Sequence, residues 1–373
     1  MRKFPAALGL VLVLAAACSP DSPPTAATAD GPADAKARLA GADKNLVVYA
    51  QNVYVGADAD VVLASSPEDL EANLFTALRT FVATNWLERA AAIAGFVSKQ
   101  RPDVIALNEI STLTVLGLAP FFPDTHVEFL PILQAALAQR GLDYVVAGKV
   151  ANVDANLSLG GPSIRLQDFD VVLTRREIGI SNVRTGNYAA HVSLPLAAGT
   201  VDLIRGWVSV DLTEGGRTAR FVASHLEPQE TSLPLQLAQS SQLISMLADS
   251  PHPVVIASDL NTDPLDPAPL TSYDQFRTAG FQDAWLSRVD MKHDAGFTCC
   301  ENPDLRNPEP VLTKRIDLVL VRPDGKAHRS TIKPVDVTLF GDQPAERTVT
   351  GLWPSDHAGV LATLQWRKVE GKS

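Results

Sequence analysis

Short apolar runs alternate with amphipathic stretches along this chain, and the apolar runs stop in polar residues. Residues 254–257 (Val-Val-Ile-Ala) are the sharpest case. Three of the four are β-branched, Pro251-His252-Pro253 precedes them, and Asp259, Asn261 and Asp263 follow. This predicts a strand buried on both faces that carries carboxylates to its own tip. Residues 46–54 predict a first strand, with Asn52 near its end, before the Gly56-Ala57-Asp58 turn. Residues 104–110 predict another, with Asn108 and Glu109 at its tip. Between them Ser66-Pro67-Glu68-Asp69 opens a helix with acids in its first turn. Leu87, Ala90, Ala91, Ile93, Ala94 and Val97 then recur at helical spacing over residues 86–100, until Arg101-Pro102 breaks the pattern.

Residues 125–140 read as a further amphipathic helix closed by Gly141. Residues 144–147 and 171–174 read as strands, the second preceded by the charged string Arg165-Leu166-Gln167-Asp168-Phe169-Asp170. From 178 to 210 the alternation of apolar and polar residues between Gly and Asn turns is that of antiparallel hairpins. A strand over 217–224 ends at His225-Leu226-Glu227-Pro228. A helix over 231–248 turns Leu235, Leu237, Leu243, Ile244 and Leu247 inward. Beyond the 254–257 strand, a Pro- and Asp-rich region holds Cys299-Cys300. Strands at 314–321 and 360–364 follow, the latter preceded by Ser355-Asp356-His357. The alternation of strands and helices places the chain in the α/β class.

The first residues carry an address. Arg2 and Lys3 precede an apolar core from Ala6 to Val13, and small residues lead to Cys18. The run is too short to span a membrane. It resembles a bacterial lipoprotein signal peptide over residues 1–17, cleaved before Cys18, which is then acylated. An ordinary secretory signal with a coincidental cysteine is the alternative. With Ser19 next, the expected location is the cell envelope, anchored to the outer membrane of a two-membrane cell, or outside the cell. Residues 18–44, rich in Pro, Ala, Thr, Asp and Gly, have too little apolar surface to order and read as a tether. The folded domain is expected over 45–367, with a tail at 368–373.

Composition narrows this picture. With 373 residues, 46% of them hydrophobic, the chain can bury a large core. Asp and Glu number 42 against 32 Lys and Arg, a formal charge of −10, and no basic block marks a nucleic-acid surface. That balance leaves room for an enzyme whose bound metal supplies positive charge locally. Cys299 and Cys300 are adjacent, and outside the cytoplasm such a pair tends to oxidise. A disulfide there would stiffen the loop before Asp317; two reduced thiols are the alternative. So few soft ligands argue against zinc.

The strand ends together supply Asn52, Glu109, His225, Asp259, Asn261, Asp317, Asp356 and His357. Their order and local strings resemble the endonuclease/exonuclease/phosphatase superfamily over residues 46–366. The strings are Gln51-Asn52-Val53, Asn108-Glu109, Ser224-His225-Leu226-Glu227, Ser258-Asp259-Leu260-Asn261, Arg315-Ile316-Asp317 and Ser355-Asp356-His357. The resemblance implies a four-layer α/β/β/α sandwich of two packed mixed β-sheets and a metal-dependent hydrolase of phosphate esters. A phosphate ester repels nucleophiles by its own charge, so hydrolysis needs a cation on the phosphoryl oxygens and an activated water. Hard oxygen ligands select Mg²⁺, or Mn²⁺ or Ca²⁺ in its place.

By the resemblance, Glu109 is a metal ligand with Asn52 and Asp356 beside it; Asp58 is an additional metal-side candidate, with a turn-forming role as the alternative. Asp317 would orient His357, which activates the water, with Asp259 as the rival base; pairing with Arg315 is the structural alternative for Asp317. Asn261 would bind a phosphoryl oxygen. His225 would hydrogen-bond the phosphate or assist the leaving group. Arg165, Asp170 and Arg205 are candidates for phosphate contact or for support of the rim. Three readings compete: a phosphodiesterase or nuclease at the cell envelope, a phosphomonoesterase or sphingomyelinase-like lipid-headgroup hydrolase, and a surface lipoprotein that only binds. Retention of every catalytic-type residue favours the first two. The expected partners are a nucleic acid or a phospholipid or small phosphoester as substrate, and the membrane through the lipid anchor, with the chain acting as a monomer.

Overall fold

The computed structural model describes residues 43–158, 161–196, 199–287 and 294–369. The expected signal segment, Cys18 and most of the expected tether lie outside them. Asp43 and Lys44, expected in the tether, instead open the first strand, where Asp43 lies opposite Arg367 and Lys44 pairs with Glu214. In chain order the strands are β1 (Asp43–Asn52), β2 (Val104–Asn108), β3 (Thr112–Leu116), β4 (Thr125–Glu128), β5 (Tyr144–Ser158), β6 (Ser163–Arg175), β7 (Gly179–Asn187), β8 (Val192–Leu196), β9 (Gly199–Leu203), β10 (Gly206–Glu214), β11 (Arg217–Ser224), β12 (Val254–Asp259), β13 (Gln282–Asp283), β14 (Asp317–Arg322), β15 (Ser330–Phe340) and β16 (Gly359–Lys368). The helices are α1 (Ala59–Leu63), α2 (Leu70–Ala83), α3 (Trp86–Gln100), α4 (Phe129–Ala138), α5 (Gln229–Leu247) and α6 (Ser272–Thr278). No described helix is long and apolar enough to cross a membrane.

Two mixed sheets pack face to face. The larger runs β15-β16-β1-β2-β6-β5-β9-β8, with β3 on β6 and β4 on β3; the smaller runs β13-β14-β12-β11-β10-β7. Strand period 2 divides the apolar residues between layers. Val48, Ala50, Val104, Ala106, Val210 and Val255 face the other sheet and form the central core. Tyr49, Ile105 and Leu107 face outward onto Ile93 and Leu133 of α3 and α4. Val254, Ile256 and Leu320 face outward onto Leu243 and Phe276 of α5 and α6. Strands buried on both faces must read as continuous apolar runs, which is how they were legible. The expected four-layer α/β/β/α sandwich is the observed fold.

Three local expectations differ. Leu87 is 69% exposed; the first turn of α3 buries Trp86 and Arg89 instead. Residues 125–128 form β4 paired to β3, and the helix starts only at Phe129. Leu235 and Leu237 of α5 are half-buried, whereas Gln236, Gln239 and Ser240 are buried. That buried polar stripe has partners: Gln236 Nε2 donates to the carbonyls of Glu227 (2.9 Å) and Asn261 (2.5 Å), and Gln239 Oε1 accepts from Glu227 N (2.8 Å). The helix therefore pins two loops rather than only covering the sheet.

Those loops lie at one end of the sandwich. β1 and β2 are parallel, with Asn52 opposite Asn108. β11 and β12 are parallel, and β14 runs antiparallel to β12 with Asp317 opposite Asp259. β16 is antiparallel to β1. The C-terminal tips of four strands and the N-terminal starts of two antiparallel neighbours thus converge.

Candidate active site

The register that sets Asp317 opposite Asp259 also aims it at His357. Asp317 Oδ2 lies 2.7 Å from His357 Nδ1. Arg315 pairs elsewhere, with Asp283 at 2.7 Å, so the alternative partnership of Asp317 with Arg315 is not what forms. The other Asp317 oxygen is buried without a hydrogen-bond partner, which ties the carboxylate's orientation to the imidazole. His357 is fixed from its backbone as well: Gln51 Nε2 donates to its carbonyl (2.8 Å), and Ser355 Oγ accepts from its N–H (3.2 Å). Gly359 follows because a Cβ there would collide with Gln51, which holds this carbonyl, and with Tyr49, whose hydroxyl donates to the Gln51 side chain. Burial opposes charge on His357, yet Asp317 and Asp356 hold its pKa well above the usual imidazole value.

Glu109 sits at the tip of β2 with φ of +60°, turning its side chain out of the strand line. Its Oε1 accepts from Asn52 Nδ2 (2.9 Å) and its Oε2 from Val55 N (2.9 Å). Asn52 bridges two carboxylates, since the same Nδ2 donates to Asp259 Oδ2 (3.0 Å), while its Oδ1 accepts from Tyr54 N (3.0 Å). Both amide atoms are thus engaged within the protein, and the expected ligand oxygen of Asn52 faces Tyr54. Burial, and next among the raising influences the charge of Glu109, push Asp356 up to about 7. Two carboxylates border one cavity, one of them disfavoured as an anion by the other, and both are of the hard-oxygen type that could hold a divalent cation. Asp58 is exposed and accepts from Val61 N at 3.2 Å, the work of a helix start, although it also borders the cavity.

The opposite wall comes from β9–β10 and β11. Arg205 Nη1 lies 2.9 Å from His225 Nδ1, and Arg205 Nε donates to Glu227 Oε2 at 3.1 Å. Because a guanidinium only donates, Nδ1 of His225 accepts and its proton resides on Nε2, 3.3 Å from Asp259 Oδ2. Burial works against the charge of Arg205, and Glu227 and Asp168 more than offset it. Burial likewise opposes ionisation of Asp259, but His225, His357 and Asn52 hold its carboxyl well below the usual range. Asn261, at φ of +50°, donates from Nδ2 to Leu226 O (2.9 Å) and from N to Asp259 Oδ1 (2.9 Å).

Glu109, Arg205, His225, Asp259, Asn261, Asp356 and His357 therefore border a single cavity of about 440 Å³. Cys299 and Cys300, joined as a disulfide, also line it, with Cys300 Sγ 3.9 Å from His357 Nε2. Asp317 stands behind His357, and Asp170 behind Asn108, accepting from its Nδ2 at 2.7 Å. Asp170 is thus a supporting residue, out of reach of the cavity lining. Arg165 is not brought to the site at all. It lies exposed on the opposite face of β6 from Ile164 and Leu166, bonded to Asp154 at 2.6 and 2.7 Å, because neighbouring strand residues point to opposite faces.

Several working residues were given no role of their own from sequence. Asn108 Oδ1 accepts from Asp259 N (3.0 Å) and its Nδ2 donates to Ser224 O (3.1 Å), tying three strand tips together. Its signal was its place beside Glu109. Glu227 had the same kind of signal, beside His225. Arg89 is fully buried and donates to the carbonyls of Val53 (2.5 Å), Tyr54 (3.1 Å), Thr84 (2.8 Å) and Pro354 (3.2 Å). It clamps the loop after Asn52 to the loop before Asp356; its signal was a charge inside the apolar stripe of α3.

A family model described as "Endonuclease/Exonuclease/phosphatase family" matches residues 73–357. Among solved structures, humanized D. rerio TDP2 carrying 14 mutations is similar at 17% identity with a TM-score of 0.52, over 86% of this chain and 98% of that one. An endonuclease/exonuclease/phosphatase from Beutenbergia cavernae DSM 12333 is similar at 18% identity with a TM-score of 0.52, over 86% and 72%. D. rerio TDP2 complexed with single strand DNA product is similar at 16% identity with a TM-score of 0.50, over 86% and 99%. At such identities the likeness is one of fold. No curated protein matches the sequence.

Proposed function

Because this chain belongs to the endonuclease/exonuclease/phosphatase family, and so to the phosphoesterases and nucleases, we propose that it hydrolyses phosphate esters, phosphodiesters foremost, with a divalent cation held by Glu109 and Asp356. The observation that carries this reading is the 2.7 Å Asp317–His357 pair on the cavity that Glu109 and Asp356 border. A bound Mg²⁺, or Mn²⁺ or Ca²⁺, supplies charge neutralisation at the phosphoryl oxygens and acidifies water.

The side chains do the rest. Asp317 keeps the proton on His357 Nδ1; Asp356, neutralised by a cation on it, would no longer be one of the carboxylates that favour the imidazolium, leaving Nε2 to take a proton from water as its oxygen attacks phosphorus. Asp317 then stabilises the imidazolium. Asp259 is the weaker candidate for base, because Asn52, His225 and Asn261 already occupy its oxygens. It serves better as the acceptor that orients His225. Arg205 and the second amide hydrogen of Asn261 offer donors to the phosphoryl oxygens. The ester P–O bond breaks, and the leaving oxygen is reprotonated from solvent.

The test is hydrolysis of bis-p-nitrophenyl phosphate by the purified chain with and without EDTA, and with Mg²⁺, Mn²⁺ or Ca²⁺ restored. Hydrolysis that persists undiminished in EDTA would overturn the mechanism. We further infer lipidation at Cys18 and residence at the cell envelope, supported by the small-residue run that ends there. Cys18→Ala should leave unprocessed precursor in the membrane fraction; normal processing and release to the soluble fraction would refute it.

A further inference from the structure

The cavity that holds the polar residues does not end with them. It continues between α1 and α2 on one side and β3, β5, β6 and β9 on the other, where Leu74, Leu78, Phe81, Leu157, Ile164 and Leu166 line it. Leu74, Leu78, Leu157 and Ile164 are buried from solvent yet border open space, so the gap lies inside an apolar cluster. The whole cavity, polar end included, is about 440 Å³, within the range of about 300–1,000 Å³ typical of small-ligand sites. Among the described lining residues Arg205 is the single Lys or Arg, and it is already paired with Glu227. A nucleic-acid strand needs cations or donors along its successive phosphates. This arm offers hydrocarbon instead. At the surface the same cluster reaches Phe121, which is 81% exposed and meets Phe75 of α2 edge-on.

We propose that the phosphoester taken by this site is amphiphilic: its phosphate lies among the carboxylates and histidines, and an alkyl chain attached to it runs into the apolar arm. The proposal rests on the phosphoester-hydrolase reading and assigns its substrate class. Burying a chain there removes apolar surface from water and fills a void whose lining lacks partner atoms, and both effects favour longer chains. The balance of the reaction is unchanged: water adds to phosphorus, one P–O bond breaks, and the chain stays on either the phosphate or the departing alcohol.

The experiment uses the full chain with Mg²⁺ and a series of p-nitrophenyl alkyl phosphodiesters from ethyl to octyl, below their micelle concentrations. kcat/KM should rise about 10-fold or more from ethyl to octyl, since each buried methylene can contribute a factor of about 4. Leu157→Phe, which fills the arm, should lower the octyl-to-ethyl ratio several-fold; the ratio is internal to each preparation, and an intact melting transition checks folding. Binding of octyl phosphate against ethyl phosphate by calorimetry reads the arm without chemistry. Tighter binding of octyl phosphate with no ester hydrolysed would leave the arm standing and refute the hydrolase reading. Hydrolysis with no chain-length dependence, or a single-stranded oligonucleotide cleaved in preference to the octyl ester, would overturn the proposal. A parallel arm with phosphatidylcholine vesicles separates the sources: hydrolysis there points to a membrane lipid, and hydrolysis confined to the soluble esters points to a free amphiphile.

Discussion

The polar end of the cavity and its apolar arm are built by opposite means. At the polar end, residues far apart in sequence are locked by directed bonds: Asn108 to Asp259 and Ser224, Asn52 to Glu109 and Asp259, Arg89 to four carbonyls. Each such buried group is costly to leave unpaired, so the geometry is stiff. In the arm, Leu74, Leu78, Leu157 and Ile164 pack in an apolar cluster on one side and border space on the other, and only shape and apolarity constrain what enters. Directed bonds suit a place where atoms must be held to a fraction of an ångström, while undirected contact suits the grip on a variable chain. Damage at the polar end should therefore strike the rate on every substrate, and damage in the arm should strike discrimination among them.

The largest expected effects test the polar end. His357→Ala should lower kcat by about 10³-fold or more, within the range of lost general acid–base catalysis. Asp317→Asn should cost nearly as much by favouring the wrong tautomer, and the double variant should be little worse than either, because a unit fails non-additively. Losses that multiply in steady-state assays, with circular dichroism intact, would separate the two residues and return Asp259 as leading base. Glu109→Gln should cost on the order of 10²-fold, with partial rescue at high Mg²⁺. An equal loss at every Mg²⁺ concentration would deny it the ligand role.

Smaller effects test the support behind the site. Asn108→Ala leaves the N–H of Asp259 and an oxygen of Asp170 without their partner, and chemical denaturation should show a loss of about 1–3 kcal/mol. Asp170 gives a pH signature. Burial pushes its carboxyl up to about 7, so the folded chain keeps a proton that the unfolded chain releases near pH ~4. Its contribution to stability therefore falls as pH rises from about 4 to 7. Asp170→Asn should remove that fall, seen as a melting temperature that declines less between pH 5 and pH 8 than in the parent. Smallest of all, Arg165→Ala should leave both rate and melting temperature almost unchanged, because its pair with Asp154 is exposed to water. A marked loss of rate would bring Arg165 back to the substrate.

Much of the fold was legible, and the reason is physical. A strand buried on both faces must be apolar throughout, so β2, β12 and β14 stood out, and with them the buried stretches of β1, β11 and β16, each with a polar tip that named a site residue. β15 was missed because its outer positions are exposed and its apolar residues are interrupted by Lys333, Pro334 and Asp336. Leu87 misled because helical spacing ranks residues by apolarity, whereas burial of Trp86 and Arg89 turned the helix otherwise. Arg165 misled because a charge before a strand has the same letters whether it faces a cavity or the solvent; only the parity of β6 decides.

By itself, the sequence determined the α/β class, the strand tips and the inventory of carboxylates, amides and histidines, because strand burial and chemical type are local properties of residues; the two-sheet sandwich was implied by the family resemblance those strings carry. Only the tertiary structure decided which tips meet and what lies beside them. The pairing of Asp317 with His357 rather than Arg315 depends on the register of β14 against β12. The clamp of Arg89 depends on a loop whose Pro354 lies 265 residues further along the chain. The apolar arm depends on a gap between α2 and β6, and a gap is a failure of distant surfaces to close, which no stretch of sequence carries alone.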